Sequence, residues 1–180
     1  MVRLQYLALI ATSTLASNGL IAGIADAMAR RCVLQPNAQC QNADLEGTQR
    51  PGVNVRGGNF RGADLAGSNF RNSNFSRTNL QQADLERVQF QGTNFTEANM
   101  TKADAERANM TRANLTGANL TRADMEGVNL TNANLTNANL TNADFERANL
   151  RGATVTGANL DAAEFCRTIM PNGSVNNRDC

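Results

Sequence analysis

A four-sided, all-β solenoid is the fold class this sequence predicts, and three periodic features predict it. At every multiple of five from 55 to 165, 23 positions without a gap, the residue is apolar. The residue two before that centre is Ala, Ser, Thr, Gly or Val in all 25 pentads over 43–163, and the residue just before it is Asn, Asp, Gln or Glu in 24 of them, Thr154 being the exception. An acid takes that preceding place only at Asp44, Asp64, Asp84, Asp104, Asp124, Asp144 and Glu164, spaced by 20.

A step of five fits neither regular element. On a helix it rotates each centre by about 140°, so the apolar residues spiral around the axis. On one continuous strand an odd step sends successive centres to opposite faces. A chain that turns a corner once per pentad keeps every centre inside, with the small residue two before it pointing inward as well. The 20-residue spacing of the acids makes four pentads one coil. The repeats then form about six coils, a stack roughly 30 Å tall at ~4.8 Å per strand. No single coil buries its Leu, Phe, Met and Val alone, and each is covered by its neighbours. Asn beside each corner suits turns and bonds its own backbone, and stacked Asn can form amide ladders.

The blocks ADLAG, SNFRN, SNFSR, TNLQQ and ADLER, and later ANLTG, ANLTR, ADMEG, VNLTN and ADFER, resemble the pentapeptide-repeat family, whose consensus is A-[DN]-L-x-x. The resemblance covers residues 43–167. It implies a right-handed quadrilateral β-helix, capped at both ends, with the centre side chain inside. One pentad departs from the pattern, where Arg50 occupies a centre beside Pro51.

Residues 1–27 read as a secretory signal: Arg3 and the amino terminus form a short basic region, an apolar stretch follows, and Ala25-Asp26-Ala27 has the small-x-small form of a cleavage site. A retained cap helix is the competing reading, and a transmembrane anchor is disfavoured by the polar interruptions. Residues 28–42 are then an N-terminal cap, 43–167 the β-helix and 168–180 a closing tail.

Four cysteines, Cys32, Cys40, Cys166 and Cys180, flank the repeats, and none is expected at a core position. An even count placed at the two ends reads as two local disulfides, Cys32–Cys40 and Cys166–Cys180, because a bridge across a ~30 Å stack is impossible. Four reduced thiols in a cytoplasmic protein are the alternative. Pro171-Asn172-Gly173-Ser174 is a turn signal that folds the tail back. Residues 165–180 look like the closing segment of exported cyanobacterial pentapeptide-repeat proteins. Disulfides and a leader together place the protein in the periplasm or thylakoid lumen.

The chain has no His, which excludes His-dependent catalysis and His metal sites. Trp is absent and Tyr occurs once, so stacking platforms are scarce. A net charge of +1 gives no argument for direct nucleic-acid binding. No catalytic motif breaks the repeat, so no enzyme and no cofactor are expected. Ten N-x-[ST] sequons read as a by-product of the repeat rather than as glycan acceptors.

Charge is distributed unevenly around the square. One face holds twelve carboxylates and Arg87, Arg107, Arg147 and Arg167, a net of −8. Its members include Asp44, Asp64, Asp84, Asp104, Asp124 and Asp144, with Glu86, Glu106, Glu126 and Glu146. The other three faces net +7. A column of Asp at ~4.8 Å spacing repels itself by about 1 kcal/mol per pair even in water. The arginines relieve it, but the Gly47, Gly67 and Gly127 pentads lack one. Ca²⁺ could bridge such a gap, though surface carboxylate rows rarely form closed shells. The expectation is a monomeric, non-enzymatic scaffold or adaptor that binds a basic protein through this face. A DNA-mimic regulator of a DNA-binding protein such as gyrase is the alternative, opposed by export and by the diluting arginines. A solvated wall of weak Glu–Arg pairs is the structural reading.

Overall fold

Among the described residues nearly every pentad closes a β-turn onto its own centre, the Arg50 pentad being an exception, since Val53 N–H donates instead to Ser73 Oγ at 3.1 Å. Ala63 N–H donates to Phe60 O at 3.0 Å, and Ala98 N–H to Phe95 O at 2.9 Å. The third residue of these turns has a left-handed φ, as at Gly62 (65°), Lys102 (58°) and Arg112 (58°), the requirement of a type II turn, with Ala162 the exception. Between turns the chain extends for three residues, too few for a long strand but enough to pair with the coils on either side. Those pairings are parallel bridges at a constant offset of 20, as in Asp64↔Asp84 and Asn99↔Asn119. Four turns therefore make one coil. Leu45 N–H donates to Asp64 O at 2.7 Å, and Asp64 N–H donates back to Ala43 O at 2.9 Å.

This computed structural model describes residues 32–180. The expected signal segment 1–27, and any closure of the stack supplied by residues 28–31, lie outside the described residues. Among the described residues no helix is long and apolar enough to cross a membrane. Residues 33–180 form one unit with four walls. Wall I carries the bridged column 44–164, wall II the column 49–169, wall III the column 54–154 and wall IV the column 39–139.

The interior is built by the centres and the small residues two before them. Centres from Phe60 through Leu150 are fully buried, as are Ala63 and Ala108 beside them. Phe60, Phe70, Phe75, Phe90 and Phe95 form an aromatic block, with ring centroids 4.9 Å apart at the closest pair. Hydroxyls at the small position are buried without loss. Ser68 Oγ donates to Leu45 O at 2.7 Å, Thr93 Oγ1 to Phe70 O at 2.8 Å and Thr168 Oγ1 to Phe145 O at 2.6 Å.

The ladder begins earlier than the expected boundary at 43. Gln39 bridges Asn59, and Ala38 and Cys40 occupy the small and centre positions of a further pentad. Cys40 is 2% exposed, which corrects the expectation that no cysteine sits at a core position. Arg50 keeps register, since its N–H donates to Asn69 O at 2.9 Å, but its side chain is exposed.

At the other end the pattern distorts and then recovers. A 3₁₀ turn, Leu160–Ala162, interrupts wall IV, and Val155 and Leu160 are only half-buried although both are centres. Ala162 is the one alanine in the left-handed slot of the described pentads. Asn159 Oδ1 takes over the acceptor role, receiving Leu140 N–H at 2.6 Å. Wall II continues to Ile169, two residues past the expected boundary at 167. Strand β1 (Thr168–Ile169) pairs antiparallel with β2 (Val175–Asn176), and the turn between them includes Pro171 and Asn172.

Candidate functional site

Wall I presents the charged site. Its extended residues Asp44, Asp64, Asp84, Asp104, Asp124 and Asp144 stand in one parallel ladder that ends at Glu164. Each carboxylate is aimed by its own backbone. The Oδ1 atom accepts the N–H two residues on, at 3.2 Å from Glu46, 2.9 Å from Ala66 and Glu86, 3.0 Å from Glu106, 2.9 Å from Glu126 and 2.7 Å from Glu146. This Asx-type bond fixes the side chain across the corner. The glutamates follow in the first turn position, in a parallel column beside the aspartates.

Arginine ties that second column together. Arg87 Nη2 lies 2.8 Å from Glu86, and Arg107 Nη2 lies 3.0 Å from Glu106. Arg147 reaches two coils at once, 2.6 Å from Glu126 and 3.3 Å from Glu146. The Gly127 pentad, which has no arginine of its own, is therefore served from the next coil. Gly127 also leaves room below, since a Cβ there would meet Arg107 Cγ at 3.4 Å. Glu46 differs. Gly occupies both positions, 47 and 67, from which an arginine could reach it, and among the described residues Asp44, Glu46 and Asp64 make no ion pair.

The repulsion expected along the column acts on Asp124. Partial burial raises its pKa above the ordinary carboxylate value. The Glu126 N–H bond opposes that shift, and the charges of Asp104, Asp144 and Glu126 add to it. Among the described residues no three carboxylate or thiolate groups converge into a metal-binding cluster.

The sequon threonines are structural. Thr116 Oγ1 and Thr116 N–H both bond Asn114 Oδ1, at 2.7 and 3.1 Å, and the same pair recurs at Asn119 and Thr121. The Asn Nδ2 group runs to threonine of the coil before, as from Asn114 to Thr96 at 3.1 Å. This replaces the expected amide ladder, and among the described residues the one Asn–Asn side-chain bond joins Asn159 to Asn139. At the C-terminal end Cys166 and Cys180 are joined, with Cα atoms 4.9 Å apart. Cys32 and Cys40 are each disulfide-bonded as well.

A family model for pentapeptide repeats (8 copies) matches residues 52–92, 73–112, 89–127 and 129–167, more than half of the chain. The chain belongs to the pentapeptide-repeat family. Its 20-residue ladder with four turns per coil is the right-handed quadrilateral β-helix of that family. HetL, a pentapeptide repeat protein involved in heterocyst differentiation regulation in the cyanobacterium Nostoc, is 35% identical, with a TM-score of 0.51 over 78% of this chain and 67% of HetL. A pentapeptide repeat protein of the Arabidopsis thaliana thylakoid lumen is also 35% identical, covering 66% of this chain and 71% of its own, with a TM-score of 0.47. QnrB1, a plasmid-mediated fluoroquinolone resistance protein, is 18% identical, with a TM-score of 0.40 over 78% of this chain and 83% of its own. No curated protein matches the chain by sequence.

The period-of-five reading found wall I and its carboxylates. It missed the coil-to-coil reach of Arg147, whose signal was Gly127 with Arg one coil on. It also missed five Asn–Gly pairs spaced by 20, among them Asn72 with Gly92 and Asn132 with Gly152. The Asn side chain of one coil fills the space a Cβ would need on the next.

Proposed function

We propose that this pentapeptide-repeat chain is a non-enzymatic scaffold or adaptor that binds a basic protein through wall I. One observation carries the reading. The carboxylate ladder runs from Asp44 to Glu164, whereas among the described residues its arginine partners begin only at Glu86 and leave Asp44, Glu46 and Asp64 without a cation. A partner's basic side chains supply there what Arg87, Arg107 and Arg147 supply higher up. The site of action is an oxidising compartment, the periplasm or thylakoid lumen. Support for that comes from the disulfide-bonded cysteines and the leader-like residues 1–27. The rod itself, about six coils at ~4.8 Å per rung, serves as a rigid spacer.

Replacing Asp44, Asp64, Asp84, Asp104, Asp124 and Asp144 by Asn and Glu46 by Gln tests the reading. Asn already accepts the same backbone bond in the neighbouring walls, as Asn99 does from Thr101 at 3.1 Å, so the fold stays intact. The variant loses the salt-sensitive partners that wild type captures from a native lysate. Capture of the same proteins at the same salt sensitivity makes wall I a solvated surface and ends the proposal. The regular carboxylate spacing also favours a DNA-mimic reading, in which wild type inhibits gyrase supercoiling and the variant does not. The interleaved arginines weigh against it.

A further inference from the structure

In interior coils the N–H of a centre residue finds its acceptor on the next coil, as Leu85 does on Asp104 O at 2.6 Å. Phe165 and Arg167 stand where the following coil is missing, and the tail supplies substitutes. Phe165 N–H donates to Asp179 Oδ2 at 2.8 Å, and Arg167 N–H donates to Asn177 Oδ1 at 3.0 Å. Asp179 N–H returns a bond to Phe165 O at 2.9 Å. The Arg178 guanidinium lies 5.2 Å above the Phe165 ring and donates to Ala163 O. Residues 177–180 are all exposed, yet Phe165 beneath them is 1% exposed. The strap is one chain thick. Each of its polar contacts is exchangeable with water, and the disulfide is the link that is not.

We propose that Cys166–Cys180 is a redox latch that opens and closes this end of the β-helix. The proposal is independent of any partner on wall I. A dithiol reductant is the chemical class that operates it. One of its thiolates attacks the sulfur of Cys180, an exposed residue, and Cys166 leaves as thiolate. The second thiol then resolves the mixed disulfide. Cys180 leaves as thiolate in that step, and the two cysteine thiolates take up the two protons the reductant's thiols give up, so two cysteine thiols and one oxidised dithiol result, a two-electron exchange. With the S–S bond gone the strap leaves. The last coil then bares the Phe165 ring, two unpaired N–H groups and a carbonyl, which together form an open β edge of the kind that templates pairing.

Hydrogen exchange read by mass spectrometry on the full chain tests the latch. Cys32 and Cys40 are disulfide-bonded too, so a reductant alone does not isolate the effect. The Cys166→Ser/Cys180→Ser double variant is therefore compared with wild type before and after dithiothreitol. The amides of Phe165, Arg167 and Asp179 exchange at least tenfold faster in the double variant and in reduced wild type, as expected when a cross-link closing a short loop is removed. The amides of Leu115 and Leu135 stay protected, and reoxidation of wild type with glutathione disulfide restores the slow rate. Unchanged protection at Phe165 and Arg167 overturns the proposal, because the strap then holds without the bond. Loss of protection across all coils overturns it as well, because the bond then staples the whole fold. Should the double variant fail to fold, a Cys32→Ser/Cys40→Ser variant, folded while oxidised and then reduced, decides between the same outcomes, because Cys166–Cys180 is then the one bond the reductant opens.

Discussion

A left-handed residue once per pentad is what turning a corner requires, and this chain often fills that slot without glycine. Arg77, Arg87, Glu97, Lys102, Arg107, Arg112 and Arg122 all carry positive φ. Such a conformation costs roughly 1–2 kcal/mol per residue outside glycine, and the bonds of the ladder offset it. The slot was illegible in the sequence because Arg, Lys and Glu do not announce a left-handed turn, and because Asn–Gly pairing appears only when residues 20 apart are compared. Asp124 is informative at the same scale. Its raised pKa means the folded state holds the proton more tightly than the unfolded chain. The associated stability is fully present below the unfolded pKa near 4 and is lost as pH rises through the folded value. At neutral pH its charge therefore opposes folding. Asp124→Asn keeps the bond to Glu126 N–H and should be more stable than wild type at neutral pH, with the difference vanishing below about pH 4. Urea titrations at several pH values check this, and a variant less stable at neutral pH contradicts it.

At the scale of the pentad, the small residue and the centre divide the labour. One lets the walls approach, and the other fills the gap between them. Leu115 is fully buried, with Phe95 and Leu135 one coil away on the same wall. Leu115→Ala should destabilise by about 2–5 kcal/mol, the range for truncating a buried Leu. Thermal or urea unfolding measures it, and a change within error would mean that the stack collapses onto the missing volume. The repeat made this level legible from composition alone, because each position has one environment in every coil. Two elements escaped. The pentad at Cys40 was hidden by an unusual centre residue. The 3₁₀ turn Leu160–Ala162 keeps the apolar pattern and differs only in placing Ala where a left-handed residue belongs.

For the whole molecule, charge and fold were legible to different depths. The twenty-residue recurrence of Asp placed all six aspartates of 44–144 on one wall. The pairing within that wall was not legible, because it depends on how far Arg147 extends along the axis. The direction of the backbone hydrogen bonds has a mechanical consequence. They run from coil to coil along the solenoid axis, as in Phe95 N–H to Asn114 O at 2.7 Å. Tension applied between the two ends of the stack therefore pulls these bonds open one rung at a time instead of shearing many together. Each coil of 20 residues should release about 60–70 Å of slack as it peels, given ~3.3–3.6 Å per extended residue. Optical-tweezer traces should show an evenly spaced, low-force sawtooth. In the Cys166→Ser/Cys180→Ser variant the released length should grow by the 14-residue segment that Cys166–Cys180 otherwise withholds from the load. A single abrupt rip spanning the entire length would mean that the rungs fail together, and that the stack behaves as one spring.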